Sequence, residues 1–274
     1  MTNGRGLDRQ GPADADPSAY VPVAAAMQAG GMRLVSTRGV PGPWGEAAKA
    51  ILHVKKIPYL RVAQETGAEN PELVAWTGIN SAPIAIWESE RPRAGWAEIL
   101  LLAERVAPDP PLIPRDEADR AAMFGLLHEL CGEDGFGWNR RMLSFAAMAQ
   151  TQPGAGLDDT GFQRLLAKYP VTGTADHARR RLIEIVSFQS RLLRAQAGKG
   201  RRFYIGGDLT AADIYAACFA AMVRPLPPEH CAMSPELRAA YTETDPEILA
   251  AVDPLLLEHR DFIYRDYLEL PLRL

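Results

Sequence analysis

Phe203-Tyr204-Ile205-Gly206-Gly207-Asp208-Leu209-Thr210-Ala211-Ala212-Asp213 reads as the opening of a buried helix. Thr210 stands at the N-cap, and Asp213, three residues on, can return a bond to the Thr210 backbone N–H. Leu209 can pack on Ile214 across the cap as a hydrophobic staple. The helix that follows, to about Val223, carries Ile214, Cys218, Ala221 and Met222 and is apolar enough for the centre of a bundle. The cap is worth about 1 kcal/mol, and its role is structural, not catalytic.

Outward from this point the second half of the chain has helical spacing throughout. Asp116 can cap a helix running toward Phe145, which Gly132, Gly135 and Gly137 should kink or break, each costing roughly 1 kcal/mol against Ala. Further helices are expected from Asp176 to about Ala197, from Ser234-Pro235-Glu236 and from Asp253-Pro254, the last two with proline at the first helical position. Thr151 to Thr174 reads as a long loop interrupted by a helical piece near Phe162 to Tyr169.

The first half alternates instead. Met32, Leu34 and Val35 form a short strand that Gly39-Val40-Pro41-Gly42-Pro43 ends. A helix from about Trp44 to Lys56 places Ala47, Ile51 and Val54 on one face. Pro58 to Val62 follows as a strand, Pro71 to Thr77 as a short helix and Pro83 to Trp87 as a third strand, giving the order βαβαβ. Glu88 to Arg93 suits a hairpin and an edge strand, since Pro92 lacks a ladder donor. Trp96 to Val106 is helical again. The linker Pro108-Asp-Pro-Pro111 separates the two halves. The expected domains are therefore an α/β unit at 31–108 and an all-α unit at 112–274. Residues 1–30, with Pro12, Pro17 and Pro22 and no sustained period, read as a flexible leader, although Val21 to Met27 can dock.

Composition removes several function classes. Thirty basic against 34 acidic residues leave no excess positive charge for nucleic acid. No run of about 18 apolar residues suits a membrane span, and Asp8, Asp14 and Asp16 sit where a secretory signal would be apolar, so the chain is expected in the cytoplasm. Cys131, Cys218 and Cys231 are widely spaced, which predicts reduced, structural thiols and no metal. His128-x-x-Cys131 lacks a second ligand pair, and Arg179-Arg180-Arg181 reads as a solvated helix face.

The segment Phe203 to Asp213 resembles the one that opens the core helix of the C-terminal domain in the glutathione S-transferase superfamily. The strand, proline-containing loop and helix of the first half, with Ser81-Ala82-Pro83 opening the third strand, resemble the thioredoxin-like N-terminal domain of the same family. The resemblance covers residues 32 to about 270. It implies a thioredoxin-like domain followed by a helical bundle, a homodimer, and glutathione as co-substrate without a metal. It also implies a cis bond before Pro83, with the Ala82 backbone pairing with the cysteinyl unit of glutathione.

At the catalytic position the letters depart from the family. Gly42-Pro43-Trp44-Gly45 stands where cysteine-type members carry two thiols, so disulfide exchange has no sulfur there. Ser36 and Thr37 lie within the strand, and Arg38 falls where tyrosine-type members keep their hydroxyl. Gly95-Trp96 replaces the acidic or amide residue and serine that hold the γ-glutamyl end, and Glu88-Ser89 comes too early to substitute for them. A free thiol is only a few per cent ionised near neutral pH. The N-terminus of the helix could lower its pKa by at most about 1.5. The glutathione contacts implied by the resemblance are thus Arg38, Trp44, Gly45, Ala82, Pro83, Gly95 and Trp96. Trp44 and Gly45 would offer N–H groups to sulfur, and Trp96 would replace the polar γ-glutamyl contact. In Gly135-Phe136-Gly137-Trp138-Asn139-Arg140-Arg141, Trp138 and Arg141 are candidates for a second-substrate cleft. Two functions follow: conjugation or reduction of small electrophiles by the glutathione thiol, or a non-catalytic binding or scaffolding protein that keeps the fold with an altered cleft.

Overall fold

The computed structural model describes residues 19–150, 159–169 and 173–274. Of the expected leader, residues 1–18 lie outside this range, as do residues 151–158 and 170–172 of the expected loop at 151–174. The remainder of the leader is docked. Tyr20–Val21 (β1) pairs in parallel with Tyr59–Gln64 (β3), and Val23–Gln28 (α1) follows. Ala26 of α1 is packed with Val35, Val62, Leu73 and Ile84. The 1–30 leader is therefore corrected at its C-terminal end, because a two-residue strand and one helical turn too short to show a period add to the α/β unit.

Met32–Thr37 (β2) is the central strand. It runs parallel to β3, from Met32 opposite Tyr59 to Thr37 opposite Gln64, and antiparallel to Ile84–Trp87 (β4), so that the sheet order is β1-β3-β2-β4. Helices cover both faces, and β2 is accordingly almost wholly buried. Pro43–Val54 (α2) and Trp96–Val106 (α4) lie on the side that joins the helical half. Pro71–Thr77 (α3) joins α1 on the other. The expected edge strand at 88–93 is reduced to one bridge, in which Ala85 and Arg93 exchange their N–H and C=O groups.

The linker is held by a buried ammonium. Lys55 donates to the carbonyls of Ala107 (2.8 Å) and Pro110 (2.9 Å) and pairs with Glu104 at 2.6 Å. Beyond the linker, Asp116 caps Glu117–Cys131 (α5) by accepting from the Asp119 amide. The predicted break falls at 132–135, and Phe136–Gln150 (α6) resumes. A Cβ at Gly135 would stand 2.7 to 2.9 Å from three carbonyl oxygens, so this turn requires glycine.

Asp159–Lys168 (α7), Ala175–Ala197 (α8), Ala211–Ala220 (α9), Pro235–Tyr241 (α10), Pro246–Ala251 (α11) and Pro254–Tyr267 (α12) complete the bundle. Three expectations shift. Thr174, not Asp176, caps α8; α9 stops three residues before Val223; and α11 was unexpected although Asp245 caps it just as Asp253 caps α12. Every residue of α9 from Ala211 to Phe219 is buried, and the helix packs on α2, α5 and α12. One apolar core therefore runs from the sheet through α2 and α4 into the bundle. Among the described residues no helix is long and apolar enough to cross a membrane.

All three thiols lie in this core. Burial pushes Cys131 well above the usual thiol range, Cys218 to about 12, and Cys231 upward. Since the thiolate is the reactive form, native protein should release no chromophore from an aryl disulfide thiol reagent within minutes, and denatured protein should titrate three thiols. Fast reaction of any of them in the native state would contradict this burial.

Candidate functional site

Where β2 ends, the chain turns through Gly42 into α2. Pro43 occupies the first helical position, and no side chain caps the helix. The amides of Trp44 and Gly45 thus belong to an uncapped first turn, where backbone donors and the helix dipole favour an anion. The Trp44 side chain fixes this turn against the bundle. Its Nε1 donates to the Cys131 carbonyl at 3.2 Å, and its ring meets Phe219 at 4.9 Å between centroids. A Cβ at Gly137 would lie 2.4 Å from Trp44 Cη2, so this glycine is what lets α6 close on the indole.

Opposite lies Ser81-Ala82-Pro83 at the start of β4, with the Ala82–Pro83 bond cis as the resemblance implies. Trp44, Gly45 and Ala82 all line one cleft of about 1090 Å³ between the α/β unit and the helical unit. Arg38, Gln64, Glu65 and Glu69 border it from the sheet side; Arg141, Arg164, Lys168 and Tyr169 border it from α6, α7 and the residue after α7.

The sequence-derived site residues divide in this geometry. Trp44, Gly45, Ala82, Arg38 and Arg141 reach the cleft. The charge of Arg38 is not turned to the thiol position: its Nε pairs with Glu65 at 2.8 Å and its guanidinium lies 4.7 Å from the Tyr20 ring centroid. Pro83 stands behind Ala82 and does not line the cleft. Gly95 and Trp96 do not line it either. The Gly95 amide is bonded to the Glu98 carboxylate, and the Trp96 ring packs on Phe124 and Tyr215 in the core. The expected contact of Trp96 with a γ-glutamyl group is therefore corrected, because an indole gains more from burial than from a polar, wet position. Trp138 is not itself a lining residue; it supports the cleft by packing on Trp44 (6.1 Å) and Tyr169 (5.9 Å).

The hydroxyls at the end of β2 are engaged within the sheet, Ser36 with Tyr20 (3.3 Å) and Thr37 with Gln64 (3.0 Å). The residue that sequence reasoning missed is Tyr169. Its hydroxyl is 3.4 Å from Ser81 Oγ, beside Ala82, and its ring lies 4.2 Å from the Arg141 guanidinium carbon and 4.9 Å from Lys168 Nζ. Burial resists ionisation of this phenol. The Ser81 hydrogen bond and the charges of Arg141 and Lys168 together outweigh burial and hold the pKa below the ordinary tyrosine value. At the floor, burial pushes the Glu46 carboxyl up despite Lys49 at 2.7 Å.

No family model matches the sequence, and no curated protein is significantly similar to it. Solved structures do match in fold. A glutathione S-transferase from Xanthobacter autotrophicus is 17% identical, covering 87% of this chain and 96% of its own, with a TM-score of 0.55. A glutathione transferase homologue from Sulfitobacter, with bound glutathione, is 15% identical over 86% and 94%, TM-score 0.52. A family member from Pseudomonas fluorescens, with two glutathione molecules bound, is 16% identical over 87% and 97%, TM-score 0.51. The chain thus has the glutathione S-transferase fold, a thioredoxin-like α/β domain followed by an all-helical one.

Proposed function

We propose that the cleft binds glutathione and directs its thiol at small electrophiles, by conjugation to an electrophilic carbon or by reduction. The observation that carries this reading is that Ala82 and the uncapped first turn of α2 line the same cleft. In the proposal, Ala82 pairs with the cysteinyl unit through its N–H and C=O, and the Trp44 and Gly45 amides stabilise the sulfur anion. The Tyr169 phenol offers a further O–H on the helical side, where the family pattern at the end of β2 supplies none. Two of the solved structures of similar fold hold glutathione, which supports the choice of thiol. Gly95 and Trp96 have no role in it.

A second reading, a non-catalytic binding protein, is favoured by one feature: Gly42-Pro43-Trp44-Gly45 carries no side-chain hydroxyl or thiol. Calorimetric titration with reduced glutathione is the deciding experiment. Millimolar or tighter binding is expected, with about 1.4 kcal/mol of stabilisation at a tenfold excess over Kd, or a Tm rise of roughly 3 °C. Ala82→Leu, which places a larger side chain at the cleft wall, should abolish the heat. Absence of both heat and thermal stabilisation at about 10 mM glutathione overturns the binding claim. Binding with an aryl-halide conjugation rate equal to the uncatalysed one overturns the enzymatic claim and leaves the binding protein.

A further inference from the structure

Among the described residues, the charges that line the cleft are matched except in one place. Glu46 pairs with Lys49, Glu65 with Arg38 and Glu69 with Arg164. Among the described residues Arg141 has no carboxylate partner and no hydrogen-bond acceptor, and neither does Lys168 have an acidic partner. Both sit around the ring of Tyr169.

Arg141 is instead collared by aromatic rings, with its guanidinium carbon 4.7 Å from the Trp44 centroid, 4.8 Å from Trp138 and 4.2 Å from Tyr169. Each such contact stabilises the cation through the ring face. The rings offer no oxygen to the N–H groups, and burial pulls the guanidinium pKa down. The neighbouring Arg140 shows the alternative: it is sealed by Glu243 at 3.1 Å and by the Met222 carbonyl. A partly buried guanidinium with π-faces around it and free donors at the edge of a cleft matches a planar carboxylate on a flat, unsaturated body. The donors meet the oxygens, and the rings meet the body.

We propose that Arg141, assisted by Lys168, receives the carboxylate of the electrophilic second substrate, which is therefore an anionic aryl or enoyl compound and not a neutral one. This rests on the reading of the cleft as a thiol-transfer site, within which it assigns the substrate class. Glutathione carries carboxylates of its own, so the two sources of the same chemistry must be separated.

The test uses the full chain without glutathione. Calorimetric titrations with para-nitrobenzoate and with its neutral isostere para-nitrobenzamide compare charge at constant shape. The acid should bind about tenfold tighter than the amide in the wild-type protein. Arg141→Gln should bring the two to equal affinity, and Arg141→Lys, which keeps the charge, should retain part of the preference. Equal binding of acid and amide by the wild-type protein, no binding of either at about 5 mM, or an undiminished preference in Arg141→Gln overturns the proposal. Glutathione is titrated in parallel. If Arg141→Gln removes glutathione binding and leaves the acid preference, the guanidinium serves the tripeptide and the proposal fails. If the wild-type protein ignores glutathione yet prefers the acid, the thiol-transfer reading fails and the anion site stands.

Discussion

Asp213→Ala should lower the stability of the protein by about 3 to 5 kcal/mol and its Tm by roughly 10 °C, without altering the surface of the cleft. The Asp213 carboxylate is completely buried. Its Oδ1 accepts from the Tyr204 amide (2.8 Å) and meets His259 Nε2 (3.0 Å), and its Oδ2 accepts from the Thr210 amide and the Thr210 hydroxyl, each at 2.8 Å. One side chain thus starts α9, holds the preceding segment and neutralises the polar edge of a buried imidazole from α12. Removing it leaves several buried donors without acceptors, and that desolvation sets the size of the effect more than the lost bonds do. Thr210→Ala removes only the cap hydroxyl and should cost about 1 kcal/mol. Thermal and urea denaturation measure both. A loss below 1 kcal/mol for Asp213→Ala would mean that water or a neighbouring group replaces the carboxylate.

The second large effect is expected at Gly137. A valine there would place carbon 2.4 Å from Trp44 Cη2 and 2.6 Å from Phe219 Cε1, and neither ring has room to yield. Trp44 is tied through its Nε1, and Phe219 is buried in α9. Overpacking of this kind costs typically about 1 to 3 kcal/mol, and two branches against two rings put Gly137→Val at the upper end. The functional signature is sharper than the thermal one. Trp44 carries the first turn of α2 with it, so glutathione affinity should fall by at least roughly tenfold, with a shift in tryptophan emission. Unchanged emission together with unchanged affinity would show that α6 moves away as a body and that Trp44 does not anchor the turn.

These residues also indicate what could be read in advance. The cap at Thr210 and Asp213, the break at Gly135 and the turn into α2 are local: the residues that need each other lie within a few positions. The short β1 and the six-residue α11 escaped because neither is long enough to establish a period, although Asp245-Pro246 repeats the signal that was accepted at Asp253-Pro254. At the site, roles for Ala82, Trp44 and Gly45 came from the resemblance, and the structure places all three on one cleft. Tyr169 and Ser81 are 88 residues apart, and no pattern in either neighbourhood marks their meeting. Arg140 and Arg141 are adjacent, yet about 100° of helical rotation sends one to Glu243 and the other to the aromatic collar. Trp96 failed differently: its position matched a polar motif, but its side chain followed the core.

Lys55 has one more consequence. Its ammonium ties Pro110 of the connector back to Glu104 and Ala107 of the α/β unit, and because the apolar interior is continuous across that connector, separating the two halves would expose buried apolar surface to water. Across the cleft, Arg164 of α7 and Glu69, between β3 and α3, pair on the surface, and parting them requires no unpacking of the interior.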